Sequence, residues 1–129
     1  EGETEVVLVP QGTLAERIRC GGCGLGGFLT PTGIGTEVED GKQKMTIDGK
    51  EYILELPLRA DIALIKGSKV DKKGNVWYNE STRNFNTMMA MAADTVIVEA
   101  DEVVEIGEIN PNNVMSSSIF VDYIVGGDK

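Results

Sequence analysis

Residues 9–36 read VPQGTLAERIRCGGCGLGGFLTPTGIGT, placing a strand end, a short helix and a glycine-rich loop in one run. Just ahead, Glu5 leads into Val6-Val7-Leu8-Val9, which stops at Pro10. Unbroken apolar character without alternation predicts a strand buried on both faces, as in a parallel sheet. Thr13 is suited to cap the following helix, with Glu16 three residues on to complete a capping box. Leu14, Ala15 and Ile18 give that helix an apolar side. Gly21-Gly22 is expected to end it. Residues 21–35 are so rich in glycine, with Pro31 among them, that no regular element is expected there.

Working outward, Lys42 to Leu56 reads as a β-hairpin: Met45 and Ile47 alternate on the way out, Asp48-Gly49 turns, and Tyr52 and Leu54 alternate on the return. Asp61 to Lys66 (DIALIK) is expected as a second buried strand. Asp71 to Asn75 is a turn leading to Val76-Trp77-Tyr78. A Met- and Ala-rich helix is expected from about Asn84 to Ala93, a third apolar strand from Thr95 to Glu99 (TVIVE), and a last strand from Ile119 to Val125 beyond the break at Asn110-Pro111. Strands alternating with helices predict an α/β sheet.

A chain of 129 residues is one domain or part of one. It opens on Glu1-Gly2-Glu3-Thr4 without an initiator Met or a charged-then-apolar leader, and is expected to be the interior or C-terminal part of a longer polypeptide. No apolar run approaches the ~20 residues that span a bilayer, so no membrane partner is expected. The net charge of −9 repels nucleic acid. It also disfavours phosphate-bearing ligands unless backbone N–H groups or a partner chain hold them. With no histidine, catalysis must use carboxylates, backbone amides, Lys, Tyr or Cys, or come from another chain.

Pro10-Gln11-Gly12-Thr13 sits where a strand hands over to a helix, the usual place for a ligand in an open α/β sheet. Gln11 offers two donors and an acceptor to a carboxylate or thioester oxygen, and Gly12 admits a ligand close to the backbone. The loop holding Phe28, Leu29, Thr30, Pro31, Thr32 and Gly33 is suited to wall an acyl pocket, with apolar contact from Phe28 and hydroxyls from the threonines. The bland alternatives are a helix-start turn and a packed surface loop. In Arg83-Asn84-Phe85-Asn86, the asparagines either cap the next helix or border a cleft.

Other groupings are weaker. Cys20-Gly21-Gly22-Cys23 lies at the C-terminal end of its helix, the wrong end for thiolate activation. Zinc needs further ligands that the chain lacks, so two reduced thiols in a cytoplasmic protein are expected, and no metal site. Glu39-Asp40-Gly41 has the form Glu-x-Gly but lies among charged residues, as an exposed turn would. The acids from Glu99 to Glu108 read as a solvated face.

The segment from Val9 to Thr36, the Arg83–Asn86 tetrapeptide and the acidic run VEADEVVEIG closely resemble, in that order, the α subunit of the 3-oxoacid/acetate CoA-transferases. That family also includes succinyl-CoA:3-ketoacid CoA-transferase, and the resemblance covers nearly the whole chain. It implies a CoA-transferase-like open sheet, with residues 1–129 as the C-terminal portion of the α-subunit domain. Gly26-Gly27-Phe28 begins like the family's glycine signature, but Thr32 stands where its glycine belongs; the signature is expected upstream of Glu1. The resemblance implies exchange of CoA between short-chain carboxylic or 3-oxo acids through a glutamyl-CoA intermediate. The family's nucleophilic glutamate belongs to the β subunit, so no catalytic residue is expected here. Gln11, Gly12, Phe28, Thr30, Pro31, Thr32, Gly33, Asn84 and Asn86 are the candidate substrate contacts. The implied partners are a β subunit, in an α2β2-type assembly, and an acyl-CoA thioester as substrate rather than a tightly held cofactor. Two other readings are an inert structural fragment of such an enzyme and a sugar-phosphate isomerase-like relative, for which no phosphate site stands out.

Overall fold

The computed structural model describes residues 2–126 as an α/β protein with two sheets. The larger has four strands in the order β5-β4-β6-β7. Strands β4 (Ala60–Asp71), β6 (Ala93–Val104) and β7 (Tyr123–Gly126) run parallel, while β5 (Val76–Trp77) lies antiparallel at the edge. Burial alternates through the middle of β4 and β6, from Ala63 to Gly67 and from Val96 to Ala100, and Ala63, Ile65, Val70, Val96, Val98 and Ala100 form the core with Tyr78 and Ala90. Ala90 comes from the short helix α2 (Asn86–Met91), which covers that face. Burying one such branched side chain stabilises by roughly 1.5–3 kcal/mol.

Among the described residues, no helix covers the opposite face. Leu64 of β4, Ile97 of β6 and Tyr123 of β7 are register neighbours across it, with Ile62 and Val125 beside them. Leu64 is 70% exposed. The DIALIK segment is therefore buried on one side only, against the expectation of a fully buried strand. Lysines of β4 and the turn beyond it meet acids of β6 and of the residue that follows it: Lys66 pairs with Asp101 at 2.9 Å, Lys69 with Glu102 at 3.1 Å, and Lys72 with Glu105. Part of the acidic run, from Glu99 to Glu102, thus lies within β6.

The second sheet is antiparallel, ordered β1-β3-β2. Strands β2 (Lys44–Ile47) and β3 (Lys50–Glu55) form the expected hairpin, with Asp48 and Gly49 both at positive φ, 49° and 76°. Two left-handed residues in a two-residue loop match the twist of the strands they join. The buried positions of β3 are Ile53 and Glu55, not Tyr52 and Leu54. Glu55 is held by Lys42. The glycine-rich loop is more regular than expected, because β1 (Phe28–Thr30) adds to the free side of β3.

Helix α1 (Gln11–Cys23) begins earlier and ends later than the sequence suggests. Pro10 precedes it without a side-chain cap, so Thr13 lies inside the helix and is buried. The helix runs through Gly21-Gly22 and ends at Gly24 in the left-handed conformation. Those two glycines serve close packing instead: a Cβ on Gly21 would lie 2.2 Å from the Leu58 carbonyl oxygen, and one on Gly22 2.6 Å from Met91. α2 is shorter than expected, since Asn84 has φ 20° and Ala93 already belongs to β6. Ile119 falls in a 3-10 turn, Ser118–Phe120, and the last strand starts at Tyr123. Residues 5–9 form no strand, and Val6, Val7 and Leu8 are 77, 71 and 80% exposed. A strand needs a neighbouring backbone to bond, and none lies beside them among the described residues.

Candidate functional site

Helix α1 and α2 run in the same sense. Ile18 and Met89 meet around one cavity, while Gly22 abuts Met91 a turn further on. Both run opposite to β4: the Asn86 side chain bonds the Lys66 N–H, while the Ala92 carbonyl accepts from Ala60 at the strand's start. The N-termini of both helices therefore point toward the side where β4 and β6 end, the side on which open α/β sheets hold ligands.

At the start of α1 lies a cavity of about 320 Å³ lined by Pro10, Gly12, Thr13, Glu16, Phe28, Thr30 and Thr32. The first turn of α1 has no acidic residue and no side-chain cap, which leaves its N–H groups and the positive end of the helix dipole open. β1 carries Phe28 and Thr30 alongside, and the Thr30 hydroxyl accepts from the Thr32 N–H at 3.1 Å, fixing the Thr-Pro-Thr bend. The wall thus combines an aromatic ring, hydroxyls and helix-end amides, a set suited to a short acyl group and a partly negative oxygen. Glu16 is turned to Arg19, 2.9 Å away.

Of the residues singled out in the sequence, the structure brings Gly12, Phe28, Thr30 and Thr32 around this one cavity. Gln11 is the exposed first residue of α1, next to Gly12. Pro31 and Gly33 do not line it. Gly33 has φ 97° and lies so close to Val38 that a Cβ would approach within 2.6 Å, which accounts for glycine there. The bend belongs to the small antiparallel sheet, not to the parallel one.

Asn86 lines a different cavity, of about 360 Å³, with Leu64, Lys66, Ile97, Glu99 and Val125. Its amide is engaged at both ends, accepting from Lys66 N–H at 3.3 Å and donating to the Thr82 carbonyl at 2.6 Å. Asn84 is exposed and held at φ 20°, ψ −122°. Glu80, four residues earlier, is also at positive φ. Strain in non-glycine residues is retained only where the surroundings enforce it. Here the Asn79 N–H bond to Ser68 and the Asn86 bonds pin the segment.

Sequence reasoning missed Thr13 and Glu16 as cavity residues, because their spacing also fits a capping box. It also missed a cavity of about 430 Å³ lined by Lys69, Trp77, Val104, Glu108, Ile109, Asn110 and Asn113 at the carboxyl ends of β4 and β6. Nearby, burial works against the Asp71 carboxylate, but hydrogen bonds from the Asn75 side chain and from the Asn75 and Lys73 N–H groups outweigh it and hold its pKa low. Burial raises the pKa of Tyr78, whose hydroxyl shares a hydrogen bond with Ser116. Glu39, in the Glu-x-Gly tripeptide, accepts from Lys44 and from Gly35 N–H, which lower its pKa. It closes a surface loop. Cys20 is buried and Cys23 exposed, both free, and no cluster of potential metal ligands occurs among the described residues.

A family profile described as coenzyme A transferase matches residues 1–127. The chain is 58% identical over 124 residues to the acetate CoA-transferase subunit alpha of Escherichia coli K12, covering 96% of this chain and 56% of that protein. It is also 58% identical over 123 residues to the acetoacetyl-CoA:acetate/butyrate CoA transferase alpha subunit of Clostridium acetobutylicum, covering 95% and 56%. The chain therefore spans about half the length of these relatives. Among solved structures, an acyl-CoA transferase from Escherichia coli O157:H7 shares the fold with a TM-score of 0.83 at 22% identity, over 93% of this chain and 27% of that one. Glutaconate coenzyme A-transferase from Acidaminococcus fermentans does so with a TM-score of 0.80 at 18% identity, over 91% and 44%.

Proposed function

This chain belongs to the coenzyme A transferase family, and from that premise we propose that it forms part of the A subunit of an enzyme moving CoA between short-chain carboxylic or 3-oxo acids. The reading is supported by the names of its relatives, which are subunits acting on acetate, butyrate, 3-oxoadipate and 3-ketoacids. The nucleophile is a glutamate of the B subunit, with which this chain assembles in an α2β2-type complex in the cytoplasm. That carboxylate attacks the acyl-CoA carbonyl and expels CoA thiolate, leaving an acyl-glutamyl anhydride. The thiolate attacks the glutamyl carbonyl and releases the donor acid as carboxylate, giving a glutamyl-CoA thioester. The acceptor carboxylate then takes the CoA by the reverse steps.

This chain's share is positioning. Each tetrahedral step develops an oxyanion that needs donors. Gln11 supplies a side-chain amide, the start of α1 supplies N–H groups, and Phe28, Thr30 and Thr32 wall the acyl group, with Asn84 and Asn86 as supports on the neighbouring segment. The observation that carries this reading is the meeting of Gly12, Phe28, Thr30 and Thr32 around one cavity at the uncapped start of α1. Gln11→Ala in the assembled enzyme is expected to lower kcat about 100-fold with the circular dichroism spectrum unchanged; unaltered kinetics would overturn the assignment. This polypeptide without its partner is expected to exchange no CoA.

A further inference from the structure

Between the Thr-Pro-Thr bend and the hairpin, residues 31–43 fold into successive tight turns. Ile34 N–H donates to the Pro31 carbonyl, Thr36 N–H to that of Gly33, Glu39 N–H to that of Thr36 and Lys42 N–H to that of Glu39. The Thr36 hydroxyl also donates to the Gly33 carbonyl, at 2.7 Å. These bonds shape the loop but stay within it. The Glu39 carboxylate ties the loop both to itself and to a strand. Its Oε2 accepts from the Gly35 N–H at 2.7 Å, and its Oε1 accepts from Lys44 Nζ of β2 at 2.7 Å.

The two bonds close a ring. β1, which carries Phe28 and Thr30, is bonded to β3, and β3 to β2. Lys44 of β2 holds Glu39, and Glu39 holds Gly35, just past Thr32. Inside the ring, Gly33 lies against Val38 with no room for a Cβ. A carboxylate accepting from a backbone N–H and an ammonium makes charge-assisted bonds, about twice as strong as neutral ones. Lys42, paired with Glu55, ties only the far end of the loop. We infer that Glu39 is a positioning residue: it braces residues 31–43 against β2 and so sets where Thr32 stands in the wall of the cavity at the start of α1. Glu39 does not line that cavity, so it acts through the loop. The catalytic consequence rests on the transferase reading; the brace itself does not.

The test uses the A subunit assembled with its B partner. Amide exchange at Gly35 is expected to quicken about 10-fold or more in Glu39→Ala, and to stay slow in Glu39→Gln, whose amide oxygen still accepts from the N–H. Exchange as fast in the parent protein as in Glu39→Ala would overturn the brace. Kinetics read the consequence. Glu39→Ala is expected to raise KM for the acyl-CoA about 10-fold with kcat within about 2-fold, and Glu39→Gln to recover most of that loss. Thr32→Ala is expected to act alike, and the double variant to lose no more than the worse single one, because one residue works through the other. Losses that multiply in the double variant, or an unaltered KM in Glu39→Ala, would overturn the positioning role. A parent assembly that exchanges no CoA would overturn the transferase reading instead, and the Gly35 measurement would still decide the brace.

Discussion

The two sheets of this molecule hold together by different means. The parallel sheet rests on hydrocarbon: Val70, Val76, Val96 and Val98 interlock beneath Tyr78 and Ala90, all nearly inaccessible. The small antiparallel sheet has an outer strand, β2, exposed along its whole length, and it buries one aliphatic side chain, Ile53, beside an ion-paired carboxylate, Glu55. The lesson is that a continuous apolar layer makes rigid surroundings, whereas a hairpin lying on a helix and a loop leaves room to adjust.

The same truncation in both sheets tests this most severely. Ile65→Ala is expected to cost about 3–4 kcal/mol and Ile53→Ala about 2–3 kcal/mol in urea denaturation, because the cost of a cavity depends on how far its walls relax. Equal losses would show the hairpin sheet to be as stiff as the parallel one. Next in size is the joint between the regions. Gly21→Ala drives a methyl into the Leu58 carbonyl in the link from β3 to β4, and is expected to cost about 2 kcal/mol by overpacking.

The smallest effect concerns acid. The Asp71 carboxyl has a pKa lowered in the fold, so its contribution is present above its unfolded value and is lost as pH falls through the folded one. Stability followed by denaturation from neutral pH to below the usual carboxylate range is expected to fall, and Asp71→Asn is expected to flatten that fall. Since Asp71 closes the turn between β4 and β5, the parallel sheet should show the loss before the hairpin does.

What could be read from the sequence follows the range of the forces involved. The hairpin was legible because Asp48-Gly49 and the flanking alternation are local. β4 and β6 were legible as apolar strands, although their length and single covered face were not. The limits of α1 were not legible: Gly21 and Gly22 look like a stop, and only contact with Leu58 and Met91 reveals them as packing surfaces. Val6–Val9 has the composition of a strand, but composition cannot supply the bonding partner. In the candidate site, Gly12, Phe28, Thr30 and Thr32 were anticipated together. Asn86 was anticipated at the cleft, yet its amide is engaged by Lys66 and Thr82 and it faces a second cavity.

Two lysine–acid pairs, Lys69–Glu102 and Lys72–Glu105, act as a register key for β4 and β6. A slip of one residue would turn every buried valine outward, so alternation alone forbids it. A slip of two would keep each face apolar and would pass that check. It would also set Lys69 and Lys72 against alanine, valine or glycine instead of Glu102 and Glu105. Each exposed pair contributes little, at most about 1 kcal/mol, but their shared spacing discriminates among alignments that hydrophobicity treats as equal.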